Sequence, residues 1–342
     1  MREVRATIAD VAAAAGVSIM SVSRAMRGVE GLSPQKRAEI IAIARRLGYR
    51  PNRNAMSLAL AHSNLIGISL PTLFNDVFAE ILEGMRRTFD SAGYDTVIDT
   101  SDYSLAREEA WVERMIDWKA SAVILSGVHH AAAVRGKLTA ARIPTLEIWD
   151  QTDDPIDVCV GFDHHEAGRQ IGAHLLAMGY RRPAFVGVTE GRDRRAEQRL
   201  AGLMAATVAA GLPPVRVTRV DQVSSFEGGM RGTIALMEAQ ERPDVICYLN
   251  DHMAFGGLAT CEKLGLAVPE TVGIVGFNGL GINAVLPRPL TTVITERRQM
   301  GMVGARVLLA RIKGARVERC TVLPTRLAQG ATTAPVIRPR QS

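Results

Sequence analysis

From residue 65 onward the chain alternates short β-rich runs with helix-length amphipathic segments, and that alternation constrains its fold most strongly. LIGISL (65–70), DTVIDTS, AVILSG and PTLEIWD form a first series. Helices are expected between them, over DVFAEILEGMRRTFDSAG, 104–118 and 129–142. DVCVGFD, RPAFVGV, VRVTRV, DVICYLN and TVGIVGFN form a second series, spaced by helices over 164–178, 195–210, 227–239 and 251–264. Strands separated by crossover helices run parallel, so the class is α/β with doubly wound sheets. There are too many strands for one small domain, and 342 residues suffice for two or three. The pattern predicts two similar lobes with a ligand cleft between them at the strand C-termini. The stretch LTTVITERRQMGMVGARVLLARIKG is expected to return to the first lobe.

Charge separates the first sixty residues from the rest. They carry ten Lys/Arg against four Asp/Glu, an excess equal to the net charge of +6 for the whole chain. A charge excess confined to one end is the electrostatic footprint of nucleic-acid binding. A membrane-surface role would call for a long basic amphipathic helix with aromatic anchors, which this segment lacks. No apolar run approaches the roughly 18 residues of a membrane span, and Asp10 interrupts what would be a signal peptide's apolar core. Cys159, Cys247, Cys261 and Cys320 are spread widely without a CxxC spacing and read as reduced, small apolar residues. A cytoplasmic protein associated with the nucleoid is expected, without a membrane partner.

Three short helices are predicted in the basic segment. Thr7 caps the first, with Ile8, Val11, Ala12 and Ala15 at helical spacing. Gly16 turns the chain into the second, within GVSIMSVSRAMRG, where Ser18 is the N-cap and Gly28 the stop. Val22, Ala25 and Met26 make a narrow apolar face there, and Met20, Arg24 and Arg27 point away from it. That outer side holds sulfur, guanidinium and hydroxyls and no carboxylate, which suits an anionic partner. Ser33 and Pro34 open the third helix, whose apolar positions are Ile40, Ile41, Ile43, Ala44 and Leu47. The arrangement is a helix-turn-helix, with the second helix placed to read the major groove.

ATIADVAAAAGVSIMSVSRAMRG and LSPQKRAEIIAIARRLGYRPN together resemble the DNA-binding headpiece of the LacI/GalR family of bacterial transcription regulators. The family pattern is T-x-x-D-V-A-x-x-A-G-V-S-x-x-T-V-S-R, and Ser21 stands here for the commoner Thr. The resemblance implies that Ile19 and Met20 read bases, with Arg24 a third base contact. It places Ser18, Ser21 and Ser23 on phosphates, and adds Thr7 and Asn52 to the DNA-facing set. It also implies a hinge helix over RNAMSLALAHSN, with Leu58 wedged into the minor groove; Met56 stands where the family's usual Arg would be. Residues 1–50 would be the headpiece and 51–63 the hinge. Residues 64–330 would be a core like that of periplasmic binding proteins, and 331–342 a disordered tail. Lobe 1 would span about 64–161 and 294–320, and lobe 2 about 162–291.

FAEILEGM, GFDHHEAGRQIGAHLLAMGYRRPAFVG, RLAGLMAA, NDHMAFGGL, VPETVGIVGF and PLTTV extend the resemblance over essentially the whole chain, and within the family it is nearest the gluconate-repressor subgroup. It implies a homodimer on a pseudo-palindromic operator, with lobe angle and operator affinity set by a small ligand acting as inducer or co-repressor. Cleft-facing positions fall on Val77, Phe78, Ser126, Arg195, Phe226, Asn250 and Asn278. Asn278 stands where many members have Asp, so an arginine without that acid suits a sugar acid such as gluconate or a phosphorylated relative. Asp193, Glu197, Glu147, Trp149 and Asp150 are further candidates, and a neutral sugar or sugar phosphate is the alternative ligand.

Other functions find less support. GLGINA matches G-x-G-x-x-A, but Pro287 and Pro289 cut off the following helix, which argues against a dinucleotide site and an NAD-linked enzyme. Neither a catalytic motif nor a cofactor is indicated. His129-His130 and His164-His165 are adjacent pairs, poor metal chelates, expected in solvated loop or cap positions. A solute-binding transport protein would share the core but not the basic headpiece.

Overall fold

The computed structural model describes residues 6–27, 29–49, 63–73, 76–221 and 224–336, with only the backbone of Arg27. They form two compact units, Met1–Asn64 and Leu65–Ser342.

In the first unit, helices α1 (Ile8–Ala15), α2 (Ile19–Arg27) and α3 (Pro34–Arg46) follow the sequence reading. The Thr7 side chain accepts from the Asp10 N–H while the Asp10 carboxylate accepts from the Thr7 N–H, a reciprocal cap for α1. Gly16, at φ 61°, ends α1 in the left-handed region, and the chain turns 104° into α2. Ser18 caps α2 by accepting from the Ser21 N–H at 3.1 Å, and Ser33 caps α3 through Lys36 N–H at 3.2 Å. Val11, Ala12, Ala15, Val22, Ala25, Ile40 and Ala44 form the core. A fully buried valine or isoleucine contributes roughly 1.5–3 kcal/mol, so this small unit depends on few side chains.

The second unit holds two six-stranded sheets. The first contains β1 (Leu65–Leu70), β2 (Asp95–Thr100), β3 (Ala122–Ser126), β4 (Thr145–Trp149), β5 (Val158–Gly161) and β11 (Cys320–Val322) in the order β11-β5-β4-β3-β1-β2, all parallel. The second contains β6 (Pro183–Val188), β7 (Arg216–Val220), β8 (Val245–Tyr248), β9 (Gly273–Asn278), β10 (Thr291–Thr295) and β12 (Thr325–Ala328) in the order β12-β10-β9-β8-β6-β7, with only β12 antiparallel. Each sheet reverses its winding at the first strand of its series, which is where doubly wound folds bind ligands. Helices α4 (Asp76–Ser91), α5 (Leu105–Asp117), α6 (Ala132–Ala141) and α11 (Arg297–Ile312) serve lobe 1, and α11 lies against α4. Helices α7 (His164–Met178), α8 (Arg194–Ala209), α9 (Phe226–Met237) and α10 (Asp251–Lys263) serve lobe 2. A Cβ at Gly168 of α7 would fall 1.9 Å from the Arg199 carbonyl oxygen, and one at Gly202 of α8 1.9 Å from that of His165. Only glycine permits so close an approach.

The chain passes between lobes after β5, after β10 and after β11. Three expectations need correction here. LTTVIT does not return to lobe 1: β10 is wholly part of the second sheet, because it pairs with β9, and the crossing follows it. The chain also comes back to lobe 2 in β12. Residues 331–336 are not a loose tail: Thr332 Oγ1 donates to the Ile274 carbonyl at 2.6 Å, and Val336 N–H donates to Met178 at 2.8 Å. The four cysteines are free, and Cys320, distant from Cys159 in sequence, lies in register beside it. GLGINA leads into a short 3₁₀ helix, Gly281–Val285.

Candidate functional site

On α2, capping and packing settle which residues stay exposed. Val22 and Ala25 are buried and Met26 half-buried, so the register turns Ile19, Met20 and Arg24 outward. Ile19 is 52% and Met20 62% exposed, a costly place for apolar side chains that meet only water. The Ser18 and Ser21 hydroxyls sit 3.0 Å apart on the first turn, and Ser23 is half-buried. The Thr7 hydroxyl donates to Asp10 at 2.8 Å. Thr7 Oγ1 also accepts the Asp10 N–H, so the structure gives this DNA-facing candidate a capping role. Asn52 and Leu58 lie outside the described residues.

A cleft of about 300 Å³ opens where β1–β4 end. Lobe 1 contributes Pro71, Ser101, Tyr103, Glu108, Ser126, Gly127, His129 and Asp150, and lobe 2 contributes Gly191 to Arg195 at the start of α8. Arg195 crosses from lobe 2: its Nε donates to both Asp150 oxygens at 2.8 and 3.0 Å, and Nη2 donates to Ser126 Oγ at 3.2 Å. Gly127, at φ 97°, keeps the path open, since a Cβ there would fall 2.6 Å from Arg195 Nη2. Asp150 follows Trp149, whose φ of 85° is rare for a bulky residue and costs about 1–3 kcal/mol. The Trp149 ring packs among aromatic neighbours, with Phe78 5.9 Å and Phe162 5.2 Å away.

Behind Asp150 stands His164, buried among the same rings, with Nε2 2.9 Å from Asp150 Oδ1. Its Nδ1 accepts from Arg199 Nη1 at 3.0 Å; Arg199 also donates to the Leu249 carbonyl and stacks 4.1 Å from the Phe277 ring centre. Burial, helped by the Arg199 charge, pulls the His164 imidazole down to about 4, so it is neutral. Burial lowers Arg199 to about 10. For Asp150 burial works the other way, yet Arg195 and His164 outweigh it and hold the carboxyl well below its usual range. A second histidine cluster flanks the cleft. His130 Nδ1 lies 2.7 Å from Glu108 and Nε2 3.3 Å from Glu147. The two carboxylates overcome burial and lift it to about 9. His130 and His164 therefore correct the expectation of solvated positions, because carboxylates give each a buried partner; their neighbours His129 and His165 are exposed.

Comparison with known proteins agrees with both units. Residues 7–52 match the model for bacterial regulatory proteins of the lacI family, and 173–333 match a periplasmic binding protein-like domain. The HTH-type transcriptional regulator GntR of Escherichia coli K12 is 36% identical over 335 residues, covering 98% of this chain and 99% of that one. The chain belongs to the lacI family. A LacI-family transcriptional regulator from Silicibacter pomeroyi superposes with a TM-score of 0.89 at 34% identity, over 96% of this chain and 99% of that one. The lac repressor dimer bound to operator and the anti-inducer ONPF superposes at 0.85 with 26% identity, over the same shares. As a lacI-family member this protein is a DNA-binding transcriptional regulator with an N-terminal helix-turn-helix and a two-lobed α/β core.

In this lacI-family core, the cleft brings together only Ser126 and Arg195 of the seven cleft residues expected from sequence. Val77 and Phe78 are buried in α4, with Phe78 behind Trp149. Phe226 is 56% exposed at the start of α9, edge-on to His252 at 5.2 Å. Asn250 is spent as the cap of α10, accepting from Met253 N–H at 3.1 Å. Asn278, at φ 115°, gives its carbonyl to Arg297; its buried Oδ1 has no partner among the described residues. Asp193 caps α8 and lines the cleft, whereas Glu197 pairs with Arg219 at 2.5 Å away from it. Glu147 is committed to His130 and the Ile156 N–H. Sequence reasoning missed Arg199, although it lies within RLAGLMAA, and Tyr103, which carries no local signal.

Proposed function

We propose that this regulator is a repressor of genes for sugar-acid use, and that a sugar acid such as gluconate controls its hold on the operator. The cleft carries this reading: guanidinium groups on one wall face hydroxyls and carboxylates on the other. Arg192 and Arg194 stand beside Arg195, and Arg192 makes no ion pair among the described residues. An arginine edge grips a carboxylate through parallel bonds. Tyr103, Ser101, Ser104 and Ser126 match the hydroxyls of a polyol chain. The similarity to GntR over nearly the whole chain supports the same ligand class.

On the DNA side, Ile19 and Met20 meet thymine methyls and Arg24 a guanine edge, while Ser18, Ser21, Ser23, Thr7 and Asn52 set the register on phosphates and Leu58 wedges the minor groove. A homodimer places two headpieces on a pseudo-palindromic operator, as expected from dimer symmetry and supported by the operator-bound lac repressor dimer. The protein works in the cytoplasm, on the nucleoid, and its cleft binds without catalysis. The test is operator binding on DNA upstream of its own and neighbouring genes, with and without gluconate. A change with gluconate bears the reading out. A change only with a neutral sugar or a sugar phosphate moves the ligand class, and no specific binding overturns the reading.

A further inference from the structure

Asp150 and Arg195 belong to different lobes, yet each is the other's counter-ion. Their side chains are 13% and 16% exposed, so neither charge is well hydrated, and both line the cleft. A desolvated guanidinium without an acceptor is unfavourable, which is why Asp150 holds it so firmly. His164 faces the same carboxylate from behind, and the strained backbone at Trp149 aims Asp150 at Arg195. Arg195 Nη1 has no hydrogen-bond partner among the described residues, and Nη2 has only the Ser126 hydroxyl.

We infer that Asp150 is a built-in competitor of the effector's carboxylate for Arg195, and that it tunes the cleft's affinity for anions. This rests on the sugar-acid reading above. A ligand carboxylate that reaches Arg195 must either share the guanidinium with Asp150 at close range, against like-charge repulsion, or take its place. A neutral polyol meets no such repulsion and cannot replace the lost charge. The competitor therefore acts on one ligand class only. Because it spans the lobes, weakening its grip on Arg195 also loosens a contact between them.

The variant Asp150→Asn keeps the shape and removes the charge. Calorimetric titration with sodium gluconate, and with glucitol as a neutral polyol of the same chain length, reads the effect on the full chain. Gluconate affinity should rise about tenfold with glucitol affinity not rising, and the gluconate concentration for half-maximal operator response should fall by the same factor. Asp150→Ser should behave alike, and melting curves identify folded protein. Gluconate binding that is unchanged or weaker in both folded variants overturns the inference, since Asp150 would then be a ligand hydroxyl's acceptor or a bystander. If gluconate binds neither wild type nor variants, the sugar-acid reading falls together with it. If it binds wild type and fails to gain in the variants, only the competitor falls.

Discussion

The two functional regions use opposite devices. On α2, the residues assigned to DNA are left outside: Ile19 and Met20 are more than half exposed, and Arg24 makes no ion pair among the described residues. At the cleft, Arg195 is bound to Asp150 before any ligand arrives, and behind and beside it Arg199 donates to neutral His164 and His130 pairs with Glu108. Such a surface offers its side chains at little structural cost, whereas a ligand that reaches Arg195 must rearrange contacts the cleft already has. The first arrangement suits a rigid reader of grooves and the second a switch, since a ligand shifts an equilibrium only by contacts that differ between states.

The contrast can be broken by substitution. The largest effect is expected from Arg195→Ala, which should abolish the response to ligand while sequence-specific operator binding persists; a normal response in a release assay removes Arg195 from the site. Arg24→Ala should lower specific binding by about 10–100-fold, or about 1–3 kcal/mol, and binding to random DNA far less. It should leave the melting temperature unchanged, so equal losses on both DNAs reject base reading, and a lower melting temperature breaks the contrast itself. His130 tests the paired side. Its folded-state value near 9 lies above the ordinary 6.5, so its stabilisation is complete below about pH 6.5 and fades as pH rises through about 9. Core stability should fall by on the order of 1–3 kcal/mol across that window, and His130→Gln should flatten the decline in melts at pH 6 to 10. The smallest effect is the Ser33→Ala cap deletion, about 1 kcal/mol on headpiece stability with base preference unaltered.

The same contrast explains what sequence could disclose. Thr7, Ser18, Ser33 and Gly16 act on residues three or four positions away, so caps, turns and the outward register of α2 were readable from spacing. The alternation of strands and helices likewise revealed both lobes. The cleft pairs join residues far apart, such as Asp150 with Arg195 and His130 with Glu108, and no local pattern marks them. His164 and His130 looked like surface residues because their partners lie on other elements. The family resemblance points Asn250 and Asn278 to the cleft; the cap that Asn250 makes three residues on was readable from spacing, whereas the tie of Asn278 to Arg297 joins distant residues and was not.

The contact between α7 and α8 has a consequence for inheritance. Gly168 and Gly202 bring these helices together with no room for one methyl group, and α8 carries both Arg195 and Arg199 into place. Either glycine exchanged for alanine would push the two arginines bodily, without altering any atom that a ligand meets. The response to a ligand in the cleft can therefore drift, or be selected, through positions remote from it.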